Sequence, residues 1–139
     1  MEIFVARQPI FDRSKEVVAY ELLYRNSRQN TFSGVDGDEA TSTVLANSLL
    51  SIGLEKLTEN KTAYINFTRK HLLDETVLLF SPVSIVIEIL EDVYPDQSVI
   101  DSIRDLKEKG YCIALDDFTV DAIDRFRPVY PFTDIIKVD

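Results

Sequence analysis

The chain has 139 residues, 45% of them hydrophobic, with only four glycines and five prolines, which fits one ordered globular domain. Its 24 acidic residues against 15 basic ones give a net charge of −9, which disfavours association with nucleic-acid polymers and with anionic lipid surfaces. The single Cys112 excludes an internal disulfide, no apolar run approaches the roughly 20 residues that span a bilayer, and "MEIFVARQPIF" lacks the basic stretch and long apolar run of a secretion signal, so a cytoplasmic location is the expectation.

In chain order, "IFVARQPIF" is expected to pair antiparallel with the strand-like run "VVAYELLY" (17–24) through the turn "DRSK" (12–15). The segment "DEATSTVLANSLLSIG" (38–53) sets Ala40, Val44, Leu45, Leu49 and Ile52 at helical spacing, with Asp36 or Asp38 as a cap and Gly53 as a stop. A second strand-like run, "TAYINF" (62–67), precedes a shorter helix candidate, "TRKHLLDETVLL" (68–79). After the run "SIVIEIL" (84–90) comes the clearest helix, "PDQSVIDSIRDLKEKG" (95–110). Pro95 and Asp96 open it, Val99, Ile103 and Leu106 share one face, and Gly110 closes it. "YCIALDDF" (111–118), a helical stretch "DAIDRFRPVY" (121–130) broken by Pro128, and "DIIKVD" (134–139) complete the chain. Nearly continuous apolar runs alternating with helices predict right-handed βα units, hence an α/β fold with a mainly parallel sheet.

The polar residues inside these runs carry the functional signal. Glu21, Asn66, Glu88, Asp116 and Lys137 each fall late in a different run. Ligands of parallel α/β sheets and barrels gather at the carboxyl ends of the strands, where loops and helix N-termini converge. A single buried carboxylate in a strand is ordinarily a paired structural residue, but five polar residues at matching positions are expected to form one site. Carboxylates and an amide oxygen are hard ligands suited to Mg²⁺, Mn²⁺ or Ca²⁺. Asp116 is expected to point inward and Asp117 to reach the rim as the strand ends, so that together they can serve two metals about 3.5–4 Å apart.

"YELLYR", "INFTRK", "IEILE", "ALDDF" and "IIKVD", in that order on successive strands and preceded by "RQPIF", resemble the EAL family of bacterial cyclic di-GMP phosphodiesterases. The similarity is greatest to the branch in which an EAL-like domain precedes an HDOD domain, many of whose members are considered non-catalytic. The resemblance implies a partial (β/α)8 TIM-type barrel over residues 1–139, with about five parallel strands and an N-terminal antiparallel hairpin strand. It implies that Glu21, Asn66, Glu88 and Asp116 bind a first metal, that Asp117 binds a second, and that Lys137 assists the attacking water. Gln8 and Arg25 match positions that contact the dinucleotide, Arg25 by bidentate pairing with a phosphate. The implied cofactor is Mg²⁺ or Mn²⁺, with Ca²⁺ as an inhibitory substitute, and the implied ligand is cyclic di-GMP, held weakly.

Several positions depart from the family pattern. The paired aspartates ordinarily lead into a loop with two glycines, and here Thr119 and Asp121 stand in their places, so the loop is expected to take another path. Leu90 replaces a threonine, which is expected to remove a hydroxyl from the vicinity of Glu91. Asp139 follows the fifth parallel strand, whereas a full barrel takes about 250 residues. These departures favour a signalling module that does not turn over its ligand as this chain, with an active phosphodiesterase in a full-length barrel as the alternative. Open strand edges further predict a homodimer or larger assembly. His71 is expected to be a surface or capping residue, Cys112 a small buried one, Tyr20, Tyr64 and Tyr111 core residues, and "FSGVDGDEA" (32–40) a turn.

Overall fold

The computed structural model describes residues 3–26, 47 and 49–138; the side chains of residues 3, 4, 24–26, 117 and 118 lie outside that description. The turn expected at 32–40 and most of the helix expected at 38–53 also fall outside it, although residues 49–52 are helical and Leu49 is buried. Among the described residues six strands form one sheet in chain order: β1 (Ile3–Phe11), β2 (Val17–Asn26), β3 (Thr62–Phe67), β4 (Ile85–Leu90), β5 (Cys112–Phe118) and β6 (Ile135–Val138). β1 pairs antiparallel with β2, and every later neighbour pair is parallel. The sheet curls into a half-barrel, part of the TIM-type architecture that the family resemblance implies, with the mainly parallel pairing expected from the alternating runs.

Short helices and 3₁₀ turns connect the strands on one side: α1 (Leu54–Thr58), α2 (Arg69–Leu73), α3 (Gln97–Glu108) and α4 (Val120–Arg125). α3 matches its sequence signals. The Asp96 carboxylate accepts a hydrogen bond from the Val99 amide at 3.0 Å, Val99, Ile103 and Leu106 are buried, and Gly110 supplies the φ of 98° that ends the segment. The helix expected over 68–79 breaks in two because Glu75 adopts a left-handed φ of 66°; α2 ends at Leu73 and a 3₁₀ turn covers Thr76–Leu79. Pro128 likewise separates α4 from a 3₁₀ turn over Arg127–Phe132.

Alternation along the strands divides the residues between two faces. Leu22, Ile65, Phe67, Ile87, Ile89, Ile113 and Leu115 point to the helical layer and form the core with Val99, Ile103, Phe126 and Val129. His71 caps α2, as expected, but is buried. Its Nδ1 accepts from the Thr68 amide at 3.1 Å, and burial of the ring pulls its pKa down. Tyr20 and Tyr111 are core residues, the latter donating its hydroxyl proton to the Phe80 carbonyl at 2.5 Å.

Asp134 ties the last strand to the rest. Its amide donates to the Ile113 carbonyl at 2.8 Å, its carboxylate accepts from the Ile113 amide at 2.9 Å, and Lys107 Nζ lies 2.6 Å from both carboxylate oxygens. Asp134→Ala leaves the Ile113 amide without its acceptor and is expected to lower the unfolding free energy by about 1–3 kcal/mol in urea titrations. Lys107→Ala removes only a solvent-exposed partner, and its expected cost is below about 1 kcal/mol.

Candidate metal centre

Register alone brings the polar strand residues to one face. Glu21 lies opposite Tyr64; two residues further along β3, Asn66 lies opposite Glu88; two further along β4, Leu90 lies opposite Asp116. Each step of two residues preserves the face. Ala114 pairs with Ile135, so Asp116 and Lys137 continue the same face onto β6. The intervening residues Leu22, Ile65, Phe67, Ile87, Ile89 and Leu115 point the other way, into the core, and this opposed patterning favours the register.

The side chains meet. Lys137 Nζ stands 2.7 Å from Glu21 Oε1, 2.7 Å from Glu88 Oε2 and 3.1 Å from Asp116 Oδ1. One carboxylate oxygen from each of these acids lies within 4.8 Å of the other two. Asn66 is buried directly across from Glu88. The Glu88 side chain is 0% exposed, and its Oε1 has no hydrogen-bond partner among the described residues.

Burial pushes the Glu88 carboxyl up to about 7, the hydrogen bond from Lys137 opposes that rise, and the charges of Glu21 and Asp116 add to it. Burial alone would lower the Lys137 pKa, but hydrogen bonds to Glu21 and Glu88 more than offset this and hold the ammonium above its ordinary range. One ammonium against three carboxylates leaves the group net anionic. Three carboxylates beside a buried amide form a hard donor set, and the unsatisfied Glu88 oxygen adds a lone pair without a proton donor. These residues fit a divalent cation of the Mg²⁺, Mn²⁺ or Ca²⁺ type.

The other candidates are placed less fully. Gln8 is exposed and lies opposite Glu21 on β1, on the same face. Arg25 pairs with Phe4 further along β2; its side chain and that of Asp117 are outside the described residues. Two residues differ from expectation. Tyr64 is only half-buried and belongs to the face of Glu21 and Glu88, where burial, with contributions from Cys112 and Glu88, raises its pKa. Cys112 shares that face and is partly exposed, not a fully buried filler.

The segment after β5 holds the feature that sequence reasoning missed. Thr119 has extended backbone, φ −105° and ψ 166°, and its hydroxyl donates to Glu91 Oε2 at 3.1 Å. Arg125 Nη2 donates to the Glu91 carbonyl at 2.6 Å. The hydroxyl lost at Leu90 is thus supplied to Glu91 from the neighbouring loop, by the residue that replaces a glycine. A threonine directly after a strand and before a helix signals a cap, not a cross-strand contact, so the sequence pointed elsewhere.

No protein-family model matches the chain. It is 46% identical over its whole length to the uncharacterized protein YuxH of Bacillus subtilis and 35% identical over 98% of its length to the cyclic di-GMP phosphodiesterase CdgJ of Vibrio cholerae. The chain spans about a third of the length of these curated relatives, 35% and 31%. Among solved structures it superposes on the Bacillus subtilis YkuI protein, which has an EAL domain and is in complex with substrate c-di-GMP and calcium. That match has a TM-score of 0.70 and 19% identity, covering 99% of this chain and 40% of that one. The EAL enzyme Bd1971 in its cAMP- and cyclic-di-GMP-bound form gives 0.63 and 17%, covering 99% and 46%. At these identities the two structures establish the fold.

The raised pKa of Glu88 makes stability depend on pH in a definite sense. Between about 4.5 and about 7 the unfolded chain releases the Glu88 proton while the folded chain keeps it, so folding loses stability as pH rises through that window. In chelator-containing buffer, Glu88→Gln is expected to be more stable than the parent at pH 8, by up to about 3 kcal/mol, with the gap shrinking toward pH 5. Chemical denaturation at the two pH values measures it; a gap that does not narrow at pH 5 refutes the assignment.

Proposed function

Because the chain belongs to the EAL-domain family and spans part of such a domain, we propose that it forms the metal-binding wall of a cyclic di-GMP site and acts in bacterial signal transduction. As this 139-residue polypeptide, it does so without turning the nucleotide over. The observation that carries the reading is the meeting of Glu21, Glu88 and Asp116, three carboxylates from three strands, at one point of one sheet face beside the buried Asn66. In this reading Glu21, Asn66, Glu88 and Asp116 hold one Mg²⁺ or Mn²⁺, Asp117 contributes to a second, and Ca²⁺ substitutes without supporting reaction. A bound cation supplies Lewis acidity to a phosphodiester oxygen and offsets the repulsion between the acidic face and the phosphates. Gln8 and Arg25 orient the dinucleotide from the hairpin side, and Lys137 presents hydrogen-bond donors where an attacking water is held.

The loop after Asp117 supports absence of turnover. Thr119 in place of glycine gives that segment an extended path fastened to Glu91. A displacement of about 1 Å in a reacting group can cost on the order of a hundredfold in rate. A second reading, an active phosphodiesterase in a longer chain with a complete barrel, is favoured by the 35% identity to CdgJ over 98% of this chain. A downstream HDOD domain and a cytoplasmic setting belong to the same proposal. No helix among the described residues is long and apolar enough to cross a membrane.

Incubation of the purified polypeptide with cyclic di-GMP and Mn²⁺, followed by chromatography, is expected to yield no linear dinucleotide, while equilibrium dialysis shows weak nucleotide binding that requires the metal. Product that disappears in both Glu21→Ala and Lys137→Ala establishes the second reading; product insensitive to them comes from a contaminant.

Self-association is also proposed, through the β6 edge, where Ile136 is 46% and Val138 is 82% exposed. Sedimentation velocity over a wide concentration range is expected to show a dimer or larger species, and a clean monomer throughout overturns it.

A further inference from the structure

We propose that Lys137 is a built-in counter-ion that competes with a divalent cation for oxygens of Glu21, Glu88 and Asp116, so that cation binding requires the ammonium to give up its direct contacts with those oxygens. The inference rests on the reading of that cluster as a cation site and adds a device to it. Lys137 Nζ contacts an oxygen of all three acids, at 2.7, 2.7 and 3.1 Å. A cation taking the same oxygens at about 2.0–2.6 Å would lie within roughly 3 Å of the ammonium, and two positive charges that close repel strongly in a partly dry site. Lysine and metal therefore exclude each other at this triad.

The two sides of the competition differ in mobility. Glu88 is fully buried and Asp116 nearly so, on strands locked into the sheet by the core beneath them. Lys137 sits on β6, which among the described residues pairs with β5 alone, and its side chain is 32% exposed. A flexible four-carbon stem lets its ammonium move off the three carboxylate oxygens, to where it can still donate to a water beside them, without backbone movement. The carboxylates are thus the fixed element and the lysine the removable one. The buried Glu88 Oε1 has no hydrogen-bond partner among the described residues, so the ammonium does not exhaust the acceptor capacity of the cluster.

Two consequences follow by linkage. Removing the ammonium raises cation affinity, because the metal no longer displaces a bound charge. It also destabilises the fold when no metal is bound, because three carboxylates then face one another uncompensated, and metal restores that stability.

The test compares the parent protein with Lys137→Met by Mn²⁺ calorimetry and by thermal unfolding in chelator and in Mn²⁺. Lys137→Met is expected to bind Mn²⁺ about tenfold more tightly, a coupling of ordinary size between two competing charges. It is also expected to melt at a lower temperature than the parent in chelator and to gain more from added Mn²⁺. Lys137→Arg keeps the charge and is expected to bind no more tightly than the parent. If Lys137→Met folds only with metal, it is prepared in Mn²⁺ and its affinity is read by chelator back-titration. Equal or weaker affinity in Lys137→Met overturns the competition and leaves the cation site standing. Absence of Mn²⁺ binding in both proteins overturns the site and the competition together.

Discussion

The contact between Lys137 and three carboxylates constrains the whole sheet. Glu21 and Lys137 are 116 positions apart in sequence, on β2 and β6, with β3, β4 and β5 between them. In a flat sheet these strands would lie about 19 Å apart, beyond the combined reach of the two side chains. A 2.7 Å contact across that interval requires curvature. The same curvature turns strand ends that would otherwise form a row into a concave wall, so ion pairing and site geometry share one cause.

The sheet meets two opposite demands on its two faces. Outward, Ile87, Ile89, Ile113 and Leu115 are sealed under α3, α4 and the adjoining 3₁₀ turns, where burial of apolar surface stabilises the fold. Inward, Glu88 and Asp116 are buried with charge that burial disfavours. The inner cluster is tolerable because Lys137 offsets part of it and because the rigid outer layer holds the acids where they are. Stability is supplied on one face and drawn on at the other, an arrangement that fits a site shaped for a ligand better than one shaped for folding alone.

The segment following β5 shows how a departure from a family pattern is absorbed. Replacing glycine by Thr119 removes conformational freedom but introduces a hydroxyl, and that hydroxyl reaches Glu91. With Arg125 bound to the Glu91 carbonyl, both ends of α4 are fastened to the carboxyl end of β4. The loop beside Asp116 is therefore not left loose where glycines are absent, since Thr119 and Arg125 fasten it to Glu91. Binding tolerates displacements that reaction does not, so the proposal of binding without turnover turns on where this loop sits.

The sequence by itself determined the strand and helix order, the antiparallel first hairpin, the capped helix within 95–110 and the identity of the polar residues at the strand ends. Each of these rests on local physics: nearly continuous apolar runs, a carboxylate cap, a closing glycine, and the rarity of charge inside apolar strands. Local pattern did not reveal that Glu75 would split the helix expected over 68–79, since a left-handed turn at a glutamate is imposed by what surrounds it. Nor did it show that Tyr64 would turn toward the acids, because a tyrosine fits a core and a wet face equally well. What only the tertiary structure decided was the pairing of charges: that Lys137 would stand among Glu21, Glu88 and Asp116, and that Thr119 would serve Glu91. Those contacts depend on register and curvature across four strands, and no residue near Lys137 in sequence specifies either.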